Sequence, residues 1–212
     1  MSAQDWPGTR GSQAGARDAI LSAIRRAVVP PSDLPDLLEV SQVAGEAPSD
    51  LVRRFIAMLK EVGGGAVELA GPDALFGAVA GLPAVRAARG IVSSVPELDV
   101  SILSLGPDAS REQFDAIELA IIPGRLGVAE NAAIWVDEAD LPHRALPFVA
   151  QHLAIVLRKG DIVVDMHAAY ARLPRPLPGY GVFISGPSKT ADIEQALVIG
   201  AQGPKSLVVL LV

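Results

Sequence analysis

Short runs of branched apolar residues, each closed by a turn signal, crowd the second half of the chain and restrict its fold more than any other feature. Asp115–Ile122, Ala132–Val136, Leu153–Leu157, Gly181–Ile184 and Leu207–Leu211 all have strand length and are mainly apolar. A strand that is apolar on both faces must be covered on both faces, as in a mostly parallel sheet flanked by helices. Between these runs, Leu146–His152, Asp161–Leu173 and Thr190–Ile199 read as helices. Pro123-Gly124 and Gly203-Pro204 mark turns. The expectation is an α/β fold, a three-layer sandwich with a mostly parallel sheet.

The first half is less regular. Ile20, Leu21, Ile24, Ala27 and Val28 follow helical spacing from Asp18 until Pro30-Pro31 stops the pattern. Residues 30–49 hold four prolines and several acids and read as a surface connection. A second helix follows, with Ser49 or Asp50 as its cap and Leu51, Phe55, Met58 and Leu59 on one face, ended by Gly63-Gly64-Gly65. Ala66–Ala70 is a strand candidate, Asp73–Arg89 a helix, and Gly90–Ser93 and Val100–Leu103 further strands. The division expected is a tail, helix and proline-rich connection over 1–49, then one α/β domain over 50–212.

Composition removes several function classes. The 212 residues include no cysteine, which excludes disulfides, a cysteine nucleophile, cysteine-bound zinc and a thiolate-held iron–sulfur cluster. A formal charge of −6 and nine aromatic residues argue against nucleic acid, which calls for clustered cations and stacking surfaces. The first nineteen residues lack an apolar targeting core and read as a mobile tail. The apolar end Ser206–Val212 is far too short to span a bilayer. A soluble, cytoplasmic protein is expected.

Two stretches carry chemistry. In Ile184–Glu194 an expected strand runs into Gly186-Pro187-Ser188-Lys189-Thr190 and then an expected helix, the place where α/β folds bind anions. Ser188 and Thr190 offer hydroxyls and Lys189 a charge. Alternatively, Ser188 or Thr190 simply caps the helix, and Asp192 and Glu194 complement its dipole. The spacing matches neither a Walker loop nor a dinucleotide fingerprint. In Gly127–Val136, Glu130 and Asn131 precede an apolar strand. Glu130 can act as base or nucleophile if desolvated, Asn131 can position a substrate, and Trp135 can wall the site. The alternative is a turn carboxylate beside a core tryptophan. His143, His152 and His167 fall within 25 residues, with Asp140, Asp161 and Asp165 near in sequence, but match no metal motif. No cofactor fingerprint is present, so the cofactor stays unnamed.

The segments Gly127–Trp135 (GVAENAAIW), Leu146–His152 (LPFVAQH), Met166–Tyr170 (MHAAY), Gly186–Gln195 (GPSKTADIEQ) and Gly200–Ser206 (GAQGPKS) together resemble the lactate utilisation protein C family (LutC/YkgG, the LUD domain). The resemblance covers roughly residues 115–212. It implies a fold similar to the NagB/RpiA/CoA-transferase type and a role in oxidising L-lactate to pyruvate beside two iron–sulfur proteins. It fits a component that binds a small organic acid or serves complex assembly; the residues themselves make Glu130 the candidate catalytic group. Asn131, Trp135, Gly186, Pro187, Ser188, Lys189, Thr190, Asp192 and Gln202 are the candidate ligand contacts. The alternative is a free-standing enzyme acting on a small acyl or phosphorylated metabolite through Glu130 and the Gly186–Thr190 loop. Two positions depart from the family pattern: Ala132 stands where glycine is expected, and Gln202 where histidine is expected.

Overall fold

A computed structural model describes residues 13–27, 46–106, 108–174, 179–191 and 197–212. The chain divides into two compact units, Met1–Gln42 and Val43–Val212. In the first, the described element is helix α1 (Gln13–Arg26), with Arg25 and Arg26 in its last turn, where cations favour the helix dipole. Residues 13–19 of the expected tail belong to this helix, which starts five residues before Asp18; the rest of the tail and most of the 30–49 connection lie outside the described residues.

The second unit opens with α2 (Pro48–Glu61). Proline at its first position replaces a side-chain cap, so neither Ser49 nor Asp50 is the cap residue. Phe55 and Leu59 are fully buried, as the apolar spacing predicts. The helix closes where the amides of Gly63 and Gly64 donate to the carbonyls of Lys60 and Leu59. After β1 (Gly65–Glu68), the helix expected over 73–89 is split into α3 (Leu75–Gly81) and α4 (Pro83–Ala87). Pro83 is the cause, because it forces Leu82 into an extended conformation. After β2 (Ile91–Ser93), the strand expected at Val100–Leu103 does not form. There Ser101 Oγ accepts from the Ser93 amide, and the amides of Ile102 and Leu103 both donate to the Ile91 carbonyl.

The remaining elements are α5 (Arg111–Asp115), β3 (Leu119–Gly124), β4 (Leu126–Val128), β5 (Ile134–Asp137), α6 (Leu146–Val149), β6 (His152–Leu157), β7 (Ile162–Val163), α7 (Met166–Arg172), β8 (Gly181–Ile184), β9 (Lys189–Ala191), β10 (Leu197–Ile199) and β11 (Ser206–Leu211). Five strands form a wholly parallel sheet in the order β1-β11-β6-β3-β2. Ile122, Ile155 and Val209 lie in register across its centre with no exposed surface, and Ile121, Ala154 and Val208 occupy the rungs facing the other way. One face packs on α3, α4 and the 95–98 loop through Leu75, Val79, Leu82, Val95 and Leu98. The other packs on α2 and on a second, mixed sheet in the order β7-β4-β5-β8. That second sheet turns Trp135, Val128 and Phe183 outward onto α7. The fold is α/β with a mostly parallel central sheet and helices on both sides; the second sheet was not anticipated.

Three other expected helices differ from expectation: Leu146–His152 is cut to α6, with His152 already in β6. Asp161–Leu173 begins as strand β7, and the helix starts only at Met166, where Asp165 caps it by accepting from the Ala168 amide at 2.8 Å. Thr190–Ile199 is not helical at either end: β9 and β10 pair antiparallel, with Val198 opposite Thr190. Three β-branched residues, Thr190, Val198 and Ile199, favour that extended pairing over a helix.

The two sheets approach closely at the end of β3. A Cβ added at Gly124 would fall 2.6 Å from Ile134 Cγ2 and 2.9 Å from Ile155 Cγ2, on the facing sheet and the neighbouring strand. Gly124→Ala is therefore expected to destabilise the fold by about 1–3 kcal/mol through overpacking. A urea midpoint that does not move would show that the intersheet space can relax.

Candidate functional site

The Glu130-Asn131-Ala132 turn joins β4 to β5, and its polar groups serve the scaffold. Asn131 Oδ1 accepts from the Ala133 amide at 3.0 Å, and the Asn131 carbonyl accepts from Ser185 Oγ at 2.7 Å. Glu130 is exposed, and its Oε2 accepts from the Met166 amide at 3.1 Å, at the start of α7. The turn thus ties together the β4–β5 hairpin, α7 and the end of β8. Ala132 is fully buried with φ +55°, a left-handed conformation that disfavours a side chain. That conformation explains in physical terms why a glycine is expected at this position. Trp135 is only 6% exposed and packs against Phe183 at a centroid distance of 4.9 Å, so it sits in the apolar layer beneath α7.

The second candidate stretch forms a cleft of about 300 Å³. Gly186, Pro187, Ser188 and Lys189 line it together with Gln202 and Phe148. Gly186 has φ +77°, and a Cβ there would meet the Val62 carbonyl oxygen at 2.4 Å. Ser188 holds the cleft together through its backbone, its amide donating to the Pro204 carbonyl and its carbonyl accepting from the Gly200 amide, both at 2.9 Å. The stretches around 186–189 and 200–204 are therefore in direct contact. Lys189 and Thr190 belong to strand β9 and not to a loop entering a helix, so the anticipated helix-end anion site is not formed there. Asp192 lies outside the described residues. Glu130, Asn131 and Trp135 do not line this cleft, but the Ser185–Asn131 hydrogen bond links the two regions.

A larger cavity, about 720 Å³, opens at the carboxyl ends of β2, β3, β6 and β11. Parallel sheets commonly bind ligands at that edge. Ser94, Arg125, Asp140, Arg158 and Asp161 line it. The Arg125 guanidinium donates to both Asp140 oxygens at 2.5 and 2.8 Å and lies 3.3 Å from Asp137, which is only 4% exposed. The hydrogen bond to Asp140 raises the Arg125 pKa above its ordinary value. These residues were not picked out as a site from the sequence. The available signal was position: Arg125 and Arg158 each follow directly on a buried strand.

The histidines have separate roles. His143 Nδ1 accepts from the Ala145 amide, His152 Nδ1 lies 2.8 Å from Ser206 Oγ, and His167 is exposed. Among the described residues, no group of three or more His, Cys, Asp or Glu is arranged to hold a metal. Nor is any described helix long and apolar enough to cross a membrane.

Residues 104–212 match the family described as the LUD domain. The chain is 28% identical over 215 residues to a lactate utilization protein C of Deinococcus radiodurans, covering 95% of this chain and 97% of that one. A lactate utilization protein C of Shouchella clausii is 32% identical over 101 residues, 45% of this chain and 44% of that one. The crystal structure of a DUF162 family protein from Deinococcus radiodurans superposes with a TM-score of 0.56 over 79% of this chain and 99% of that one. At 19% identity, that likeness concerns the fold alone.

The left-handed Ala132 gives a direct test. An ordinary buried Ala→Gly change, such as Ala120→Gly in β3, costs about 1–2 kcal/mol from lost methyl burial and added chain freedom. Ala132→Gly loses the same methyl but relieves about 1–2 kcal/mol of backbone strain. Chemical denaturation is expected to find Ala132→Gly close to the parent and Ala120→Gly clearly weaker. Equal losses would show that Ala132 is not strained.

Proposed function

Because the chain belongs to the LUD domain family, we propose that it serves lactate utilisation as a component of the system that oxidises L-lactate to pyruvate with iron–sulfur partner proteins. Its own part is small organic-acid binding or assembly of the complex. The observation that carries this reading is the Ser188-clamped cleft, which joins the GPSKT and GAQGP stretches into one surface. Gly186, Pro187, Ser188, Lys189 and Gln202 are the contact residues proposed on that surface, with Phe148 exposed at its edge. A chain without cysteine has no ligands for a conventional cluster, so electron carriage falls to partners. The reading as a free-standing enzyme is weaker, because the Glu130 carboxylate holds the Met166 amide and does not line the cleft.

A clean deletion of the gene is expected to abolish growth on L-lactate while leaving growth on pyruvate intact, with the wild-type gene restoring it. The purified chain is expected to be colourless, free of iron and unable to oxidise lactate alone. Normal growth of the deletion strain on lactate, or lactate oxidation by the isolated chain, would overturn the proposal.

A further inference from the structure

On the face of the parallel sheet that carries α3 and α4, the helical cover stops short of the strand starts. Leu119, His152 and Ser206 occupy one rung there, on β3, β6 and β11. Ala154 and Val208 follow on the same face, two residues further along. Val208 belongs to an interior strand, yet it is only half-buried, while Leu207 and Val209 beside it are buried. Its neighbour on β1 is Gly65, which brings no side chain to cover it. The resulting gap is a pocket of about 390 Å³, closed on its other side by Leu82, Pro83, Ala84 and Ala87. Of the residues that line the cleft, it shares Leu153 alone.

The lining is apolar but for one pair. His152 Nδ1 lies 2.8 Å from Ser206 Oγ, and no Lys, Arg, Asp or Glu is among the lining residues. A neutral imidazole and a hydroxyl have two polar hydrogens between them, and their mutual bond uses one. If Ser206 donates, the Nε2–H of His152 is left; if His152 donates, the serine O–H is left. Either way the pair keeps one donor and at least one acceptor, and neither side chain has another hydrogen-bond partner among the described residues. An apolar pocket of this size with a few converging polar groups has the usual form of a small-molecule site. The geometry points to a site for an uncharged aliphatic molecule of medium chain length with a single oxygen head. The chain lies over Leu119, Ala154 and Val208, and its hydroxyl or carbonyl meets the His152–Ser206 pair. A carboxylate head is disfavoured, because it would lose hydration with no fixed cation on the lining to compensate it. This site stands independently of the lactate role.

The test is calorimetric titration of the full chain with 1-octanol, 1-butanol and octanoate. 1-Octanol is expected to saturate a single site per chain and to bind at least about tenfold more tightly than 1-butanol, which has four fewer methylenes to bury. It is expected to bind at least about fivefold more tightly than octanoate, whose head is charged. The chain has three histidines, so their ring signals can be followed one by one by NMR. 1-Octanol is expected to shift the His152 signal and to leave those of His143 and His167 in place. Ala87→Trp, at an exposed position on the helical side of the pocket, is expected to fill it and weaken 1-octanol by about tenfold or more. Ser206→Ala is expected to weaken it by about threefold, through loss of one hydrogen-bonding group at the head. Thermal melts check that both variants are folded, and the His152 signal is read on the unaltered chain. The assignment is overturned by absence of saturable 1-octanol binding or by a His152 signal that stays in place at saturation. Octanoate binding more tightly than 1-octanol, or 1-octanol binding unchanged in a folded Ala87→Trp chain, overturns it equally.

Discussion

Between Gly124 and Arg125 the chain passes from one sheet to the other, and much of the architecture depends on that step. Gly124 pairs with Leu157 in the parallel sheet, and the next amide, Arg125, already donates to the Trp135 carbonyl in the mixed sheet. No side chain fits at the crossing, because Ile134 and Ile155 close on it from two directions. The following residue is pinned just as firmly. Arg125 reaches Asp137 and Asp140, so the start of β4 is tied to the exit of β5. The Asp137 carboxylate, nearly buried, has that guanidinium and the Ala139 amide to compensate it. The crossing therefore fixes both the spacing of the sheets and the floor of the cavity at their strand ends.

The other end of the mixed sheet is organised by hydrogen bonds to a tight turn. Glu130 and Asn131 look like catalytic groups in one dimension, because a carboxylate and an amide before a strand are what an active site requires. In three dimensions their atoms answer backbone amides and a serine hydroxyl. Ala132 shows how strongly the turn is imposed, since it holds a left-handed conformation without glycine's freedom. Such a turn positions β8, and β8 leads directly into the Gly186–Lys189 wall of the cleft. The turn and the cleft are thus coupled through scaffold contacts and do not share a pocket.

The sequence was most readable where burial is complete. β3, β6 and β11 are apolar on both faces, and their runs located them to within a few residues. The mixed sheet was poorly legible because β4 and β7 have three and two residues, too few for any period to register. The segment after Ser188 misled for another reason: acids after a glycine-containing loop resemble a helix start, while the pairing of Thr190 with Val198 is a nonlocal fact. The strand-end cavity was invisible as a unit. Ser94, Arg125, Asp140 and the Arg158–Asp161 turn come from separate stretches, and only the parallel order of β2, β3, β6 and β11 brings them to one edge.

That parallel order also separates the two surfaces. Gln202, Gly203 and Pro204 line the cleft just before β11 begins, while Val212 lines the cavity just after it ends. Likewise Phe148 precedes β6 and Arg158 follows it. Six residues of extended chain span about 20 Å, so a molecule at one end leaves the other accessible. Between the ends, β6 and β11 are paired along their whole length, with Leu207, Val209, Ile155 and Leu157 buried in one core. Such strands are stiff, because a packed interior resists small displacements. A partner protein or small molecule seated on the cleft would therefore leave the strand-end cavity open. The rigid core between them keeps the two surfaces at a fixed separation.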